Sequence, residues 1–302
     1  MRFIVVAVLL CAACASSTPP PEPLPPLANV PAPAMSAEAR AQREKDLAAA
    51  RAAYETNRND ADAIIWLGRR TAYLGDYRGA IEIFTDGAKK HPRDARMLRH
   101  RGHRWITLRQ FDRAIADLAL AAKLTRGKPD AIEPDGLPNA RNVPLTTLQS
   151  NIWYHLGLAY YLSGDFEKAL EAYRECQKVS KNPDGLVSAT YWEYLTLRRL
   201  GRPQEAERVL EPISTDLDII ENRAYQKLLL MYRGEIAPEE LVNEDPSTTD
   251  GATTLYGVGS FYVINGQPER ARPIFERLVA NQKQWASFGY IAAETDLKRI
   301  PV

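Results

Sequence analysis

The chain has 302 residues, 45% of them hydrophobic, and a formal net charge of +1 at pH 7. That is enough apolar material for a sizeable core, and the near balance of 39 Lys and Arg against 38 Asp and Glu excludes a generally nucleic-acid-binding or polyanionic protein. Of the three cysteines, Cys11 and Cys14 lie near the start and Cys176 stands alone in the rest, so no internal disulfide is expected in the mature domain.

Met1-Arg2 is a short basic start and Phe3 to Leu10 an unbroken apolar run. With the small residues Ala12, Ala13, Ala15 and Ser16 behind it, this reads as an export signal over residues 1–14. The run is too short to span a bilayer, which needs about 20 apolar residues. Leu10-Cys11-Ala12-Ala13-Cys14 resembles a bacterial lipoprotein box, which implies that Cys14 becomes the lipidated first residue. Ala15 after it is compatible with sorting to an outer membrane, facing the periplasm. The other processed form uses Ala13-Cys14-Ala15 as an A-x-A cleavage site and releases a soluble periplasmic protein. Residues 15–35 form a Pro-rich linker. Its stretch Thr18 to Ala34 can form neither helix nor sheet, and at about 3.1 Å per residue it reaches on the order of 50 Å, as a tether or as a disordered tail.

Residues 36–60 read as an N-terminal capping helix, with Ser36 at its start and Leu47, Ala50 and Tyr54 on one face. Residues 61–302 carry recurring small and large residues at fixed offsets. A first unit from Ala61 to Pro92 has Ile64, Leu67-Gly68, Gly75-Asp76-Tyr77, Ala80 and Phe84. A second from Ala95 to Arg126 has Leu98, Gly102, Trp105, Phe111, Ala114, Leu118 and Ala121. An insertion at 127–148 then lacks helical period and carries Pro129, Pro134, Pro138 and Pro144. At this length it is expected either as an ordered loop over one rim of the fold or as a disordered segment.

The third unit, Asn151 to Gln177, is the clearest: Trp153, Leu156-Gly157, Tyr160, Gly164-Asp165-Phe166, Ala169 and Tyr173. These spacings resemble the tetratricopeptide repeat, a helix-turn-helix unit in which small residues mark close helix approach and large ones fill the gap. Weaker units begin near Leu186 and Ile219, a better one near Ala252, and Trp285 to Leu297 reads as a closing helix. The resemblance implies an all-α fold, a right-handed superhelix (α-solenoid) of tetratricopeptide-like helix-turn-helix repeats. In the second unit Arg101 replaces the usual leucine and is expected to snorkel outward along its aliphatic stem.

In such repeats the first helix of each unit lines the concave face. The resemblance therefore implies a partner-binding groove of Arg69, Tyr73, Arg96, Arg99, His103, Asn151, Tyr154 and Tyr161. Guanidinium forks and tyrosine rings suit an acidic or C-terminal peptide. From Asp62 to Lys128 basic residues exceed acidic ones by roughly eight, and from Gly201 to Ala252 acidic exceed basic by roughly seven. Part of that basic excess is expected on solvated outer faces, with Arg93, Arg109 and Arg113 pointing outward.

His100 and His103 are one helical turn apart, a spacing that can serve a metal, but no third ligand presents itself and no metal or cofactor is expected. Cys176, on a small-residue position of a second helix, reads as a buried structural thiol. No catalytic constellation stands out. The function expected is a protein-binding scaffold or adaptor of the bacterial cell envelope, touching membrane only through its lipid anchor. The alternatives are self-association of basic front on acidic rear, and a cell-wall glycan-binding protein or enzyme using Trp105, Trp153 and Tyr161.

Overall fold

The structure, a computed structural model, describes residues 30–301, so the signal segment, Cys14 and most of the Pro-rich linker lie outside the described residues. Residues 31–301 pack as one unit. It contains fourteen α-helices among the described residues. Helix α1 (Ala37–Thr56) is followed by the pairs α2 (Ala61–Tyr73) and α3 (Tyr77–Lys90), α4 (Ala95–Thr107) and α5 (Phe111–Thr125), α6 (Leu148–Ser163) and α7 (Phe166–Val179). Then come α8 (Pro183–Arg199) and α9 (Pro203–Val209), α10 (Arg223–Tyr232) and α11 (Pro238–Leu241), α12 (Thr249–Ile264) and α13 (Pro268–Ala280), and last α14 (Phe288–Leu297). The first helix of each pair touches the first helix of the next, so α2, α4, α6, α8, α10 and α12 form the inner wall of an α-solenoid.

Local chemistry sets the helix ends. Asp60, Asp76 and Asp165 each accept the amide N–H three residues on, satisfying a donor that the first helical turn leaves free. At α6 the cap is reciprocal: Thr147 accepts from the Ser150 amide and the Ser150 hydroxyl accepts from the Thr147 amide. Gly164 ends α6 with φ of 93°, a left-handed conformation that glycine takes without a Cβ clash. Gly157 serves contact instead: a Cβ there would lie 2.8 Å from the Tyr173 ring, so only hydrogen lets α7 approach this closely.

In the turn between α4 and α5, Arg109 adopts φ of 59°, although the turns after α2 and α6 use Gly75 and Gly164 for the same backbone. The left-handed conformation costs an L-residue about 1–2 kcal/mol, so the side chain must return at least that. It does so across the molecule: Arg109 Nε donates to Glu294 Oε2 at 2.8 Å, Nη2 donates to the Trp285 carbonyl at 2.8 Å, and the guanidinium lies 3.8 Å from the Trp285 ring centroid. Tyr77 stacks on the other side of this junction, 6.3 Å from Trp285. Arg109 therefore does not point outward as the charge pattern implied; it ties the second repeat to the C-terminal segment.

Arg101 also departs from its expected place. Its guanidinium makes a two-pronged pair with Asp117, at 2.7 and 2.6 Å, and donates to the Thr85 hydroxyl at 3.0 Å. Trp105 Nε1 donates to the same carboxylate at 3.0 Å. A carboxylate one helix away holds the charge between α3, α4 and α5, so snorkelling is unnecessary. At the other end of the solenoid Asp296, fully buried, accepts from Arg199 at 2.5 Å and from the Tyr256 hydroxyl at 3.0 Å, joining α8, α12 and α14.

Candidate functional site

The insertion between α5 and α6 has a folded path across the inner wall. Ile132 and Thr147 form an isolated antiparallel bridge at its base. From there Glu133, Pro134, Asp135 and Gly136 run over α2 and α4. Arg69 Nη1 donates to the Pro134 carbonyl at 2.8 Å, Arg70 Nη1 to the Gly136 carbonyl at 3.0 Å, and Arg99 Nη2 pairs with Glu133 Oε1 at 2.9 Å. Gly136 lies so close to Tyr73 that a Cβ would fall 1.9 Å from its hydroxyl. Farther on, Arg141 pairs with Asp218 at 2.7 Å, tying the insertion to the acidic rear half.

These contacts redistribute the residues assigned to the groove. Arg69, Tyr73 and Arg99 come together, but an acidic segment of this same chain already covers them. Arg96 does not join them: it bridges Asp94 at 2.6 Å and Asp62 at 2.5 Å near the start of its helix. Tyr161 is fully buried, its hydroxyl shares a 3.0 Å hydrogen bond with that of Tyr256 and its ring packs edge-on to Trp192, so it belongs to the core between α6, α8 and α12 and not to an accessible wall. Trp105 is buried as well, which leaves no open aromatic platform built from Trp105 and Tyr161.

His103, Asn151 and Tyr154 do meet, at a chamber of about 470 Å³. Tyr154 accepts from Trp192 Nε1 at 2.9 Å and its hydroxyl shares a hydrogen bond of 3.0 Å with Tyr225. Asn151 is held by the Thr146 hydroxyl at 2.9 Å. Phe288, from the first turn of α14, sits against His103, His155 and Tyr154 at centroid distances of 5.3, 5.5 and 6.1 Å. The N-terminal turns of α6, α8, α10, α12 and α14 all end on this chamber, through Ser150, Gly185, Ala224, Thr249 and Phe288. Their backbone dipoles point positive ends toward it. Lys181 adds positive charge, Glu221 and Asp250 negative.

Sequence reasoning missed Phe288, Tyr225 and Lys181 because they come from units too degraded to align with the repeat. It missed Glu133 because an irregular segment carries no period.

Three imidazoles crowd the inner wall: His103 and His155 lie 4.5 Å apart by ring centroid, and His100 stacks on Phe84 at 5.5 Å. Burial, followed by the charges of Arg99 for His100 and His155 and of Arg104 for His103, holds all three pKa values well below the ordinary histidine value. They are neutral in the fold and take up protons in the unfolded chain once pH falls through about 6.5. The unfolded state then binds more protons, so stability declines as pH falls below about 6.5, by up to about 1.4 kcal/mol per imidazole per pH unit. Urea midpoints should accordingly drop between pH 7.5 and pH 5.5, and drop less in His103→Gln; a midpoint flat across that range would contradict the burial of these rings. Cys176 is buried too, and burial pushes its thiol up to about 12, which keeps it protonated and unreactive at neutral pH.

Among the described residues no group of three or more His, Cys, Asp or Glu is placed to hold a metal ion, and no helix is long and apolar enough to cross a membrane.

Residues 150–183 and residues 65–132 each match a family profile described as tetratricopeptide repeat. With the helix pairs and their close-contact glycines, these matches identify residues 65–132 and 150–183 as tetratricopeptide repeats, which in general indicate a scaffold for protein interaction. It is similar to the BBSome complex member BBS4 of Bos taurus, at 28% identity over 137 residues that make up 45% of this chain and 22% of that protein. The chain thus matches about a fifth of the length of that curated relative. Solved structures similar to it include YrrB, described as a TPR protein with an unusual peptide-binding site, at 15% identity and a TM-score of 0.43, covering 83% of this chain and 98% of that one. Another is MamA (AMB-1), at 15% identity and a TM-score of 0.43, covering 57% of this chain and 88% of that one.

Proposed function

We propose that the chain is a lipid-anchored, protein-binding scaffold of a bacterial cell envelope, and that its chamber receives a short acidic segment of a partner protein. The observation that carries this reading is the convergence of five helix N-termini, Lys181 and the aromatic wall of Tyr154, Tyr225 and Phe288 on one chamber of about 470 Å³. Elsewhere the inner wall is covered: by the insertion over Arg69, Tyr73 and Arg99, and by α12 and α14 over Tyr161. An extended peptide lying along an open groove is therefore replaced by a segment that enters at one place. Five positive helix ends and Lys181, set against Glu221, Asp250 and the C-terminal turn of α7, favour carboxylates there, and the tyrosines supply amphipathic contact area at low entropic cost. The export signal and lipoprotein-like box at Cys14 support the envelope location and the anchor.

The test is a crosslinking pull-down from the native envelope with wild type and Ser188→Trp side by side, the indole being added to a half-buried residue of the chamber lining. A partner captured by wild type and lost by the variant, at unchanged helicity, supports the chamber. The same partner captured equally by both would sink it. Metabolic lipid labelling that survives in Cys14→Ser would likewise remove the anchor from the reading.

A further inference from the structure

Behind the acidic segment of the insertion lies a second, smaller cavity of about 110 Å³, lined by Arg69, Tyr73, Arg99, His100, His103, Arg104 and Glu133 together with Ala72 and Phe84. Three guanidiniums face it and one carboxylate answers them. Arg69 is committed through Nη1 to the Pro134 carbonyl and through Nε to the Tyr73 hydroxyl at 3.2 Å. Arg99, only 7% exposed, spends Nη2 on Glu133 and Nη1 on His100 Nδ1 at 3.2 Å, and its Nε has no partner. Arg104 lies over the Tyr77 ring at 5.6 Å, and among the described residues no carboxylate is within ion-pair distance of it. Glu133 in turn keeps one buried oxygen, Oε2, with no donor.

Two unmet needs therefore lie among the residues that wall one small space: guanidinium donors with excess positive charge, and a carboxylate oxygen that lacks a proton donor. A cation drawn partly out of water and left without a counter-charge is costly, and a guanidinium fork is matched geometrically by the oxygens of a tetrahedral anion. At roughly 30 Å³ for each water in the liquid, the cavity has room for three to four waters or for one five-atom oxyanion. Water can meet both hydrogen-bonding needs but not the excess charge; among oxyanions, one that still carries a proton can accept from Arg99 Nε and Arg104 while donating its own O–H to Glu133 Oε2. Sulfate, unprotonated near neutral pH, meets the carboxylate with a bare oxygen.

We propose that this cavity, between α2, α4 and the insertion, is a binding site for protonated phosphate, with Arg99 and Arg104 as its donors and Glu133 as the group that reads the proton. It is separate in ligand and in assay from the partner chamber, so either reading can fail alone.

Inorganic phosphate is the probe, with sulfate and chloride at equal ionic strength as controls, because phosphate and sulfate both stabilise folded proteins generally. Melting of the whole chain should rise saturably with phosphate, by roughly 2–5 °C at a tenfold excess over Kd. The rise should be smaller with sulfate and absent with chloride, and should vanish in Arg104→Gln, chosen because Arg104 is only half-buried and bonds no buried carboxylate. Arg104→Lys, which keeps the charge without the fork, should retain a weakened response. Isothermal titration of wild type with phosphate gives a reading independent of any variant's folding. Equal shifts with sulfate and phosphate, an undiminished shift in Arg104→Gln, or no saturable heat in wild type would each overturn the proposal.

Discussion

Asp296→Asn should lower the unfolding free energy by about 3–5 kcal/mol, the range expected when one partner of a buried ion pair is removed and the other stays. Asp296 is fully buried and holds three groups from three parts of the chain: Arg199 at 2.5 Å, the Tyr256 hydroxyl at 3.0 Å and Arg299 at 3.4 Å. The amide is nearly isosteric, so packing is preserved and the change reports on charge. One amide oxygen can still accept from Tyr256, but the new NH2 turns donors toward a guanidinium that has no acceptor to offer. The Arg199 side chain is only 13% exposed and its Nε already lacks a partner, so it has little room to recover by rotating into water. Urea unfolding followed by far-UV circular dichroism measures the loss. A change below about 1 kcal/mol, the size of an exposed pair, would show that this cluster is hydrated and that α14 is held by apolar contact alone.

Glu133→Ala comes next in size, with an expected loss of about 3 kcal/mol and a local signature besides. The pair with Arg99 is buried on both sides, at 10% and 8% side-chain exposure, and is the one charged link that fastens the acidic turn of the insertion to α4. Without it Arg99 keeps its charge against burial, and the remaining ties are two carbonyls that accept from Arg69 and Arg70. The insertion should then open more often, loosening the backbone around Arg141 so that trypsin cuts the Arg141–Asn142 bond well before global unfolding. Equal cleavage rates for variant and wild type would mean that the prolines and the Ile132–Thr147 bridge hold the segment unaided.

Repeat register was legible in the sequence for a physical reason: where two helices nearly touch, chemistry permits few residues. Gly157 against Tyr173 and Gly68 against Phe84, where a Cβ would come within 2.8 and 2.4 Å of the ring, leave a mark that survives wherever the contact does. The candidate site was less legible because its parts come from outside that register. Glu133 lies in a segment with no period, and Phe288 begins a helix with no paired helix after it. Reading inner-wall residues as solvent-facing assumed an open concave face, and that assumption failed at Tyr161 and Arg99 once other parts of the chain lay over them. One signal was available and went unread. Arg109 stands where the equivalent turns have glycine, and a side chain that bears a left-handed backbone has a use.

That use bears on how the molecule comes apart. An open array of repeats contacts only nearest neighbours and behaves as a one-dimensional lattice, fraying from either end while the middle persists. The Arg109 junction joins units far apart in sequence, through Glu294 and Trp285, and so converts the lattice into a loop. Closing a loop of this span costs chain entropy that is recovered only when both ends are folded. The C-terminal helix can then no longer unravel independently of the second repeat, and intermediate states with only the repeats after α5 unfolded lose their advantage. Hydrogen exchange should show α14 sharing the protection of α4 and α5 instead of the graded decline expected of a terminal helix. A scaffold built this way is present whole or not at all.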